Sequence, residues 1–298
     1  MSRSFSGVLT RSAPGAILGG LLLTLVLMLA ASAAHAADND FSATFTGRTI
    51  GDADMDGGGS VAVTEAGASL RYRWFGIDYL NRSYDWSDTA SLPFGSGSDP
   101  WEQLHTLRLR ADIADRLGFG GLGWFAGAGL TAGWEEEMDD AWGLSGSAGL
   151  TWEAGGVRLR GGVAAYAHPV GARLLPLIAA DWGNQRDPGF SATVGFPETM
   201  LRYRSSDMFS FRAGGRMEGK TYRLADDSPV QREGYMMTTS LTLGGYIDIT
   251  PLEDLTLTVG AEYLTRQEMR VYNSGGDERN IYDLDDAPAL FLRLSYGF

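Results

Sequence analysis

The feature that most constrains the fold is a two-residue repeat bracketed by tryptophans. In the stretch WFAGAGLTAGW, Trp124 and Trp134 begin and end one face, alanine and leucine lie between them, and the other face carries mostly glycine. Successive side chains of a β-strand point to opposite faces, so one face of this segment is apolar. Ten residues at about 3.3 Å each give roughly 33 Å of strand, and a tilt near 40° reduces that to about 25 Å along a membrane normal. This height matches the lipid-facing band of a transmembrane barrel.

The next segment, AWGLSGSAGLTWEA, repeats the arrangement, with Trp142 and Trp152 at its two ends. Aromatic side chains at both ends of neighbouring strands form girdles at the two membrane–water interfaces. We therefore predict that Trp124, Trp134, Trp142 and Trp152 form part of a lipid-facing girdle.

A soluble β-sandwich is the alternative fold, because its strands show the same alternation of apolar and polar faces. Soluble cores seldom place tryptophans at both ends of a strand with small residues between them. Arginines also recur as R-x-R pairs within candidate strands, with leucine, valine or tyrosine on the opposite face. These features favour the membrane barrel.

The predicted fold is an all-β, closed antiparallel transmembrane β-barrel. A sheet in hydrocarbon has to close, because an open edge leaves N–H and C=O groups without partners. The candidate strands number about fourteen: 41–51, 60–73, 76–87, 103–114, 123–134, 141–153, 157–167, 174–182, 189–196, 199–205, 208–224, 235–250, 255–272 and 289–298. Merging the short pair 189–196 and 199–205 gives the alternative of twelve strands.

Short and long connections alternate along the chain. The short ones contain EAGG, GNQRDP and TPLED, and the longer, polar ones are DADMDGGG, TASLPFGSGSDPWEQ, EEEMDD, HPVGAR, LADDSPVQREG and NSGGDERNIYDLDDAP. With both termini in the periplasm, the long loops lie outside the cell, as is typical of outer-membrane barrels.

The N-terminus is typical of a secretory signal peptide. Two arginines precede an apolar run at 16–31, and Ala34 and Ala36 form an A-x-A cleavage site. The run is short for a membrane-spanning helix, which needs about 20 residues; an uncleaved inner-membrane anchor is the alternative. We predict removal of residues 1–36 and an outer-membrane barrel at 37–298 in a Gram-negative cell.

The charge of the chain limits its partners. The formal charge of −13 becomes 22 − 37 = −15 when the two arginines of the signal are removed, which excludes nucleic acid as an expected partner. The lipid bilayer and lipopolysaccharide are the expected surroundings. The chain has no cysteine, so no disulfide framework holds it.

An acidic stretch resembles the start of a calcium loop. Asp52, Asp54 and Asp56 precede Gly57, but the twelfth position is Val63, where an EF-hand requires a glutamate, so that assignment fails. A weaker divalent site shared with the acidic residues of EEEMDD is an alternative to a simply solvated loop. We predict no metal ligand and no cofactor.

The last strand carries apolar side chains at every second position. Leu290, Leu292, Leu294, Tyr296 and Phe298 share one face, and Arg293 and Ser295 share the other. This pattern resembles the C-terminal strand signature of Gram-negative outer-membrane proteins, which the barrel-assembly machinery recognises. The resemblance implies that Tyr296 and Phe298 belong to an assembly signal.

The second half of the chain resembles a more specific group. GFPETMLRYR, TYRLADDSPVQREGY and YDLDDAPALFLRLSYGF resemble segments of an uncharacterised family of proteobacterial outer-membrane barrels, a domain of unknown function. That family has no established activity, so the resemblance implies fold and location but no site residue.

The functional prediction rests on arginines expected to face the lumen. They are Arg71, Arg73, Arg108, Arg110, Arg158, Arg160, Arg202, Arg204, Arg212 and Arg216. In a wide barrel they would line an anion-favouring aqueous path, and in a narrow one they would pair with acids into a polar plug. A lumen of twelve to fourteen strands lies between these cases. Passive passage of small polar or anionic solutes is the first hypothesis.

Two other functions stay open. An outer-membrane enzyme acting at the extracellular rim would need His105 or His168 beside an acid or a serine, and neither histidine lies in a nucleophile motif. We therefore predict no catalytic residue. A structural or adhesive barrel with a plugged lumen is the third hypothesis.

Overall fold

The computed structural model describes residues 41–94, 97–184 and 187–297. The predicted signal peptide and Phe298 lie outside the described residues. The strands are β1 (Phe41–Asp54), β2 (Ser60–Tyr72), β3 (Phe75–Ser87), β4 (Gln103–Arg116), β5 (Leu122–Trp134), β6 (Trp142–Ala154), β7 (Val157–His168), β8 (Gly171–Trp182), β9 (Gly189–Phe196), β10 (Glu198–Arg204), β11 (Phe209–Arg223), β12 (Tyr235–Leu252), β13 (Leu255–Tyr272), β14 (Glu278–Leu284) and β15 (Ala287–Gly297). A 3₁₀ turn at Thr89–Ser91 follows β3.

The strands close into the predicted antiparallel barrel. Each strand from β1 to β13 pairs with its neighbours in the chain, and β15 pairs with both β13 and β1. β14 and β15 pair with successive halves of the long strand β13, so together they occupy one position in the wall. The wall therefore has fourteen positions, and the short strands β9 and β10 are separate. The fourteen-strand prediction is confirmed.

One strand lies where the sequence predicted only a loop. β14 falls inside the stretch NSGGDERNIYDLDDAP, because a tight turn at Asn273–Asp277 reverses the chain directly after β13. Gly276 takes a φ of 84° in that turn, a conformation that glycine adopts without strain. β14 is mostly exposed, and its polar residues show none of the alternation that marks a strand with one face in lipid.

The outer face of the barrel is apolar. Leu174 is 74% exposed, Ile178 64%, Leu290 70% and Leu292 50%. In water such a surface would be unstable, whereas a lipid bilayer solvates it. None of the described residues belongs to a helix long and apolar enough to span a membrane.

The barrel has two unlike halves. We call the half near Phe41 and Gly297 the terminal half, and the half near the connections 88–102, 135–141 and 224–234 the loop half. In the terminal half every neighbouring pair of strands is joined. In the loop half the wall is interrupted, because β9 pairs with β8 only from Ile178 to Trp182 and β10 pairs with β11 only as far as Arg216.

Beyond this interruption, toward the loop end of the barrel, the end of β11 crosses to β5. Arg223 pairs in parallel with Trp134 at the end of β5, and the N–H of Glu135 donates to the carbonyl of Arg223 at 3.0 Å. The N–H of Ala225 donates to Glu135 Oε2 at 2.8 Å. We call these contacts the β5–β11 closure. Close approach is possible because Gly133 has no side chain, and a Cβ there would overlap the carbonyl of Thr221.

A hydrophobic core fills the interior of the loop half. Its buried members are Met55, Val61, Trp86, Leu92, Trp101, Leu104, Tyr222, Leu224, Met236 and Met269, which we call the loop-half core. Leu92 and Trp101 come from the connection 88–102, which the sequence predicted as a polar external loop. Both residues lie in the interior, and Trp86 Nε1 donates to the carbonyl of Trp101 at 2.9 Å. Burial of these aromatic side chains stabilises the inward position.

Candidate functional site: an arginine chamber in the terminal half

The interior of the terminal half contains a set of adjoining cavities. Their volumes are about 780, 630, 530, 310 and 260 Å³. Neighbouring cavities share lining residues. Arg160 and Thr193 line the cavities of about 780, 630 and 260 Å³. Glu198 lines those of about 630, 260 and 310 Å³, and Arg293 lines those of about 310 and 530 Å³. We call this set of adjoining cavities the chamber.

The wall of the chamber at β6–β9 carries exposed ion pairs. The strand register places Arg158 opposite both Glu153 and Asp181. Arg158 Nε donates to Glu153 Oε1 at 2.7 Å, and Arg160 Nη2 donates to Asp181 Oδ1 at 3.0 Å. These side chains are a fifth to a half exposed, so water screens the pairs and each contributes little to stability.

The wall at β10–β13 is organised around one buried carboxylate. Asp248 is 3% exposed and accepts two hydrogen bonds from Arg212, both at 2.8 Å. It also accepts from Arg202 at 3.0 Å, from Ser210 at 3.0 Å and from Thr258 at 2.7 Å. This single side chain therefore joins four strands, from β10 to β13.

A buried ion network lies where the chamber meets the loop half. Arg48 Nε is 2.6 Å from Glu262 Oε2, and Arg48 Nη1 is 3.1 Å from Glu218 Oε2. Arg82 contacts Glu65 at 2.5 Å, and the only lysine of the sequence, Lys220, reaches the same glutamate at 3.4 Å. Such charges are stable in an interior only when paired, so the network holds these side chains together across the lumen.

Sequence reasoning missed the central residues of this network. Arg48 and Arg82 stand alone in TGRTI and LNRSYD, outside any R-x-R pair. One signal for Arg48 was present, because Ser42, Thr44 and Thr46 precede it at alternate positions and mark one face of β1 as polar.

Most of the predicted lumen arginines are ion-paired. Arg110 pairs with Asp78, Arg158 with Glu153, Arg160 with Asp181, Arg202 and Arg212 with Asp248, Arg204 with Asp207, and Arg216 with Glu218 and Glu262. Within the described part of the chain, Arg71 and Arg108 have no carboxylate at ion-pair distance. Arg73 lies in the turn between β2 and β3 at a φ of 51°, where its guanidinium covers the ring of Tyr72.

The predicted girdle residues lie at the ends of their strands. Trp134 stacks on His105 at a centroid distance of 5.5 Å, and His105 Nδ1 shares a hydrogen bond of 2.9 Å with the hydroxyl of Tyr79. Trp142 is 38% exposed and Trp152 48%. Trp124 faces Asp115 and Leu150 in the strand register.

Other predicted residues lie as follows. Tyr296 pairs with Ala43 of β1 and Leu255 of β13. His168 ends β7, stacked between Tyr166 and the edge of Tyr235. Among residues 41–94, 97–184 and 187–297, no three histidine, aspartate or glutamate side chains are grouped so that they could hold a metal ion.

One titratable group of the β5–β11 closure is perturbed. Burial raises the pKa of Glu135 to about 7, the negative charges of Glu136, Asp227 and Glu137 add to the rise, and the hydrogen bond from Ala225 opposes it. The closure thus contains a carboxyl group that changes charge near neutral pH.

Comparisons with known proteins give only distant likenesses. The sequence matches no protein-family model, and no curated protein matches it significantly. Among solved structures, a mutant of the TodX monoaromatic hydrocarbon channel matches 90% of this chain and 92% of its own, at 10% identity and a TM-score of 0.37. The NanC porin matches 85% of this chain and 100% of its own, at 12% identity and a TM-score of 0.34.

A further match is the translocator domain of the autotransporter NalP from Neisseria meningitidis. It covers 98% of this chain and 100% of its own, at 10% identity and a TM-score of 0.33. At such low similarity, the fold assignment rests on the strand pairing of this chain itself. The resemblance of the second half to an uncharacterised barrel family stays a prediction.

Proposed function

We propose that this chain is an outer-membrane channel for small polar solutes, with anions favoured, and that the chamber is its selective element. The observation that carries the proposal is the chamber itself: adjoining cavities lined by charged side chains inside a wall with an apolar outer face. A membrane protein gains nothing in stability from such a space, whereas a solute path requires one.

The preference for anions comes from a few residues. Most chamber arginines are neutralised by a neighbouring acid, so a uniform positive ring does not form. Arg71, Arg108 and Arg293 have no carboxylate of the described residues at ion-pair distance, and all three lie on the side formed by β15 and β1–β4. Unpaired cations beside a low-dielectric wall raise the local concentration of anions.

Passage requires the loop half to open. The loop-half core and the ion network separate the chamber from the loop rim. We expect the β5–β11 closure to open first, because β11 no longer pairs with β10 there and pairs with β5 only at Arg223. We propose that release of this closure opens the path.

The plugged structural or adhesive barrel is the second candidate. The buried aromatic side chains of the loop-half core favour it, because a packed core resists opening. For an enzyme the geometry gives less support. The hydrogen-bond partners of His105 are Tyr79 and Asn81, which are not the acid or serine that hydrolysis needs.

Planar-bilayer recording of the refolded barrel separates the two candidates. A channel gives discrete openings, and in a salt gradient its reversal potential indicates anion selectivity. Glu135→Ala removes the acceptor of the Ala225 N–H and is expected to increase the open probability. Asp139→Ala, which removes an exposed acid from the same loop, is the matched control. A barrel that stays silent in both the parent and Glu135→Ala forms would contradict the channel and favour the plug.

A further inference from the structure

One cavity of the chamber is lined by arginines that have no carboxylate partner among the described residues. It has a volume of about 530 Å³ and lies among β1, β2, β3, β4 and β15. Arg71, Arg110 and Arg293 line it, and Asp78 is its one lining carboxylate, which gives a formal charge of 3 − 1 = +2. The cavity of about 260 Å³ also has three lining arginines and one lining acid, but its arginines pair with Asp181 and Asp248 beyond its lining.

The single acid of this cavity is already engaged. Asp78 Oδ1 accepts hydrogen bonds from Arg110 Nη2 at 3.1 Å and from the hydroxyl of Ser69. Its single negative charge is therefore paired with Arg110, and the charges of Arg71 and Arg293 stay unbalanced within the cavity. Neither of these two arginines has another carboxylate of residues 41–94, 97–184 or 187–297 at ion-pair distance.

Arg293 is the most unusual of the three. Its Nε is buried and has no hydrogen-bond partner among the described residues, and its guanidinium covers the ring of Phe291 at 5.0 Å. It also lines the adjoining cavity with Arg212 and Arg216, so its nearest charged neighbours include two further cations. A part-buried cation without a counter-ion is unfavourable, and contact with an aromatic ring compensates only a small part of that cost.

Hydroxyl groups among the other lining residues can donate hydrogen bonds to an anion. Five serine and threonine side chains line the cavity, and Thr44 and Ser295 already meet at 3.2 Å across the β1–β15 pair. Hydroxyls can turn their protons toward an anion, and guanidinium groups form paired hydrogen bonds with phosphate and carboxylate oxygens.

We propose that this cavity binds a doubly charged oxyanion, such as the phosphate group of a small soluble molecule, between Arg71, Arg110 and Arg293. Two negative charges on the ligand match the formal charge of the cavity. The site extends the proposed channel function by naming the anion class, and it depends on that function only for its physiological role.

The test is calorimetric titration of the refolded barrel, in maltoside micelles and low chloride at pH 7.5, with inorganic phosphate. We expect saturable binding of one phosphate per chain. Arg293→Gln and Arg71→Gln should each weaken it by about tenfold or more, as expected when a charge-assisted hydrogen bond is lost. Arg279→Gln, which removes one charge from exposed β14, is the matched control and should leave the affinity unchanged.

Folding of each variant is checked by heat-modifiable migration on a gel. Should Arg293→Gln not fold, Arg71→Gln decides, because Arg71 is exposed at the end of its strand. Absence of phosphate binding, an equal effect of Arg279→Gln, or binding only of short-chain phosphatidic acid would overturn the proposal. Conductance without phosphate binding refutes the site alone, and phosphate binding by an electrically silent barrel refutes the channel alone.

Discussion

Replacement of Asp248 by asparagine tests whether one carboxylate holds the β10–β13 wall together. The substitution keeps the size of the side chain, removes its charge and turns one of two acceptor oxygens into a donor. Arg202 and Arg212 then face a neutral group, and at least one guanidinium bond and one hydroxyl bond are lost. Breaking a buried pair from one side costs about 3–5 kcal/mol.

The structure sets the expected value at the lower end of that range. Asp248 is buried, but the side chains of Arg202 and Arg212 are 27% and 19% exposed, so water partly solvates the stranded cations. We expect a loss of about 3 kcal/mol in the free energy of unfolding, or roughly a hundredfold in the folding equilibrium. The measurement is guanidinium unfolding of the refolded barrel in detergent micelles, followed by tryptophan fluorescence.

Asp207→Asn is the matched control. Asp207 also pairs with an arginine, Arg204 at 3.2 Å, but its side chain is 96% exposed, so the loss should be below about 1 kcal/mol. The double variant Asp248→Asn/Arg212→Gln should lose less than the sum of its single variants, because it removes one stranded cation. Equal losses at Asp248 and Asp207 would refute the assignment of Asp248 as the organising residue.

Three further predictions concern the outer face and the β5–β11 closure. Leu292→Arg on the lipid face should lower the stability by about 2–4 kcal/mol in the same unfolding assay, whereas Ser274→Arg in the β13–β14 turn should have little effect. Because the pKa of Glu135 is raised in the folded state, the contribution of this carboxyl group to stability is complete below about pH 4.5 and is lost as the pH rises through about 7. Bilayer recordings should therefore show more openings at pH 8 than at pH 6. Glu135→Gln should abolish that difference. Gly133→Ala places a methyl group against a backbone carbonyl of β11 and should lower the free energy of unfolding by about 1–3 kcal/mol. Gly47→Ala, which has no atom within 4 Å of its added Cβ, should leave that free energy unchanged. Equal effects of the two substitutions would contradict the close approach of β11 to β5.

The sequence by itself determined the barrel and nearly all of its strands. β2, β5, β9 and β13 begin and end within a residue of their predicted bounds. This success has a local cause, since each strand lies between lipid and lumen and the alternation of its own side chains records that boundary. The sequence did not predict β14 for the same reason, because an exposed strand has no lipid-facing side that requires alternating apolar residues.

Only the tertiary structure decided what the lumen contains. R-x-R pairs showed which faces carry arginine, but the partners depend on contacts between distant segments. Arg48 on β1 meets Glu218 on β11, and Glu65 on β2 meets both Arg82 on β3 and Lys220 on β11. The turn of β11 toward β5 and the inward fold of the 88–102 connection likewise depend on packing between distant segments. Strand periodicity reflects the solvent on each side of a wall, whereas ion pairing and closure depend on the path of the whole chain across the interior.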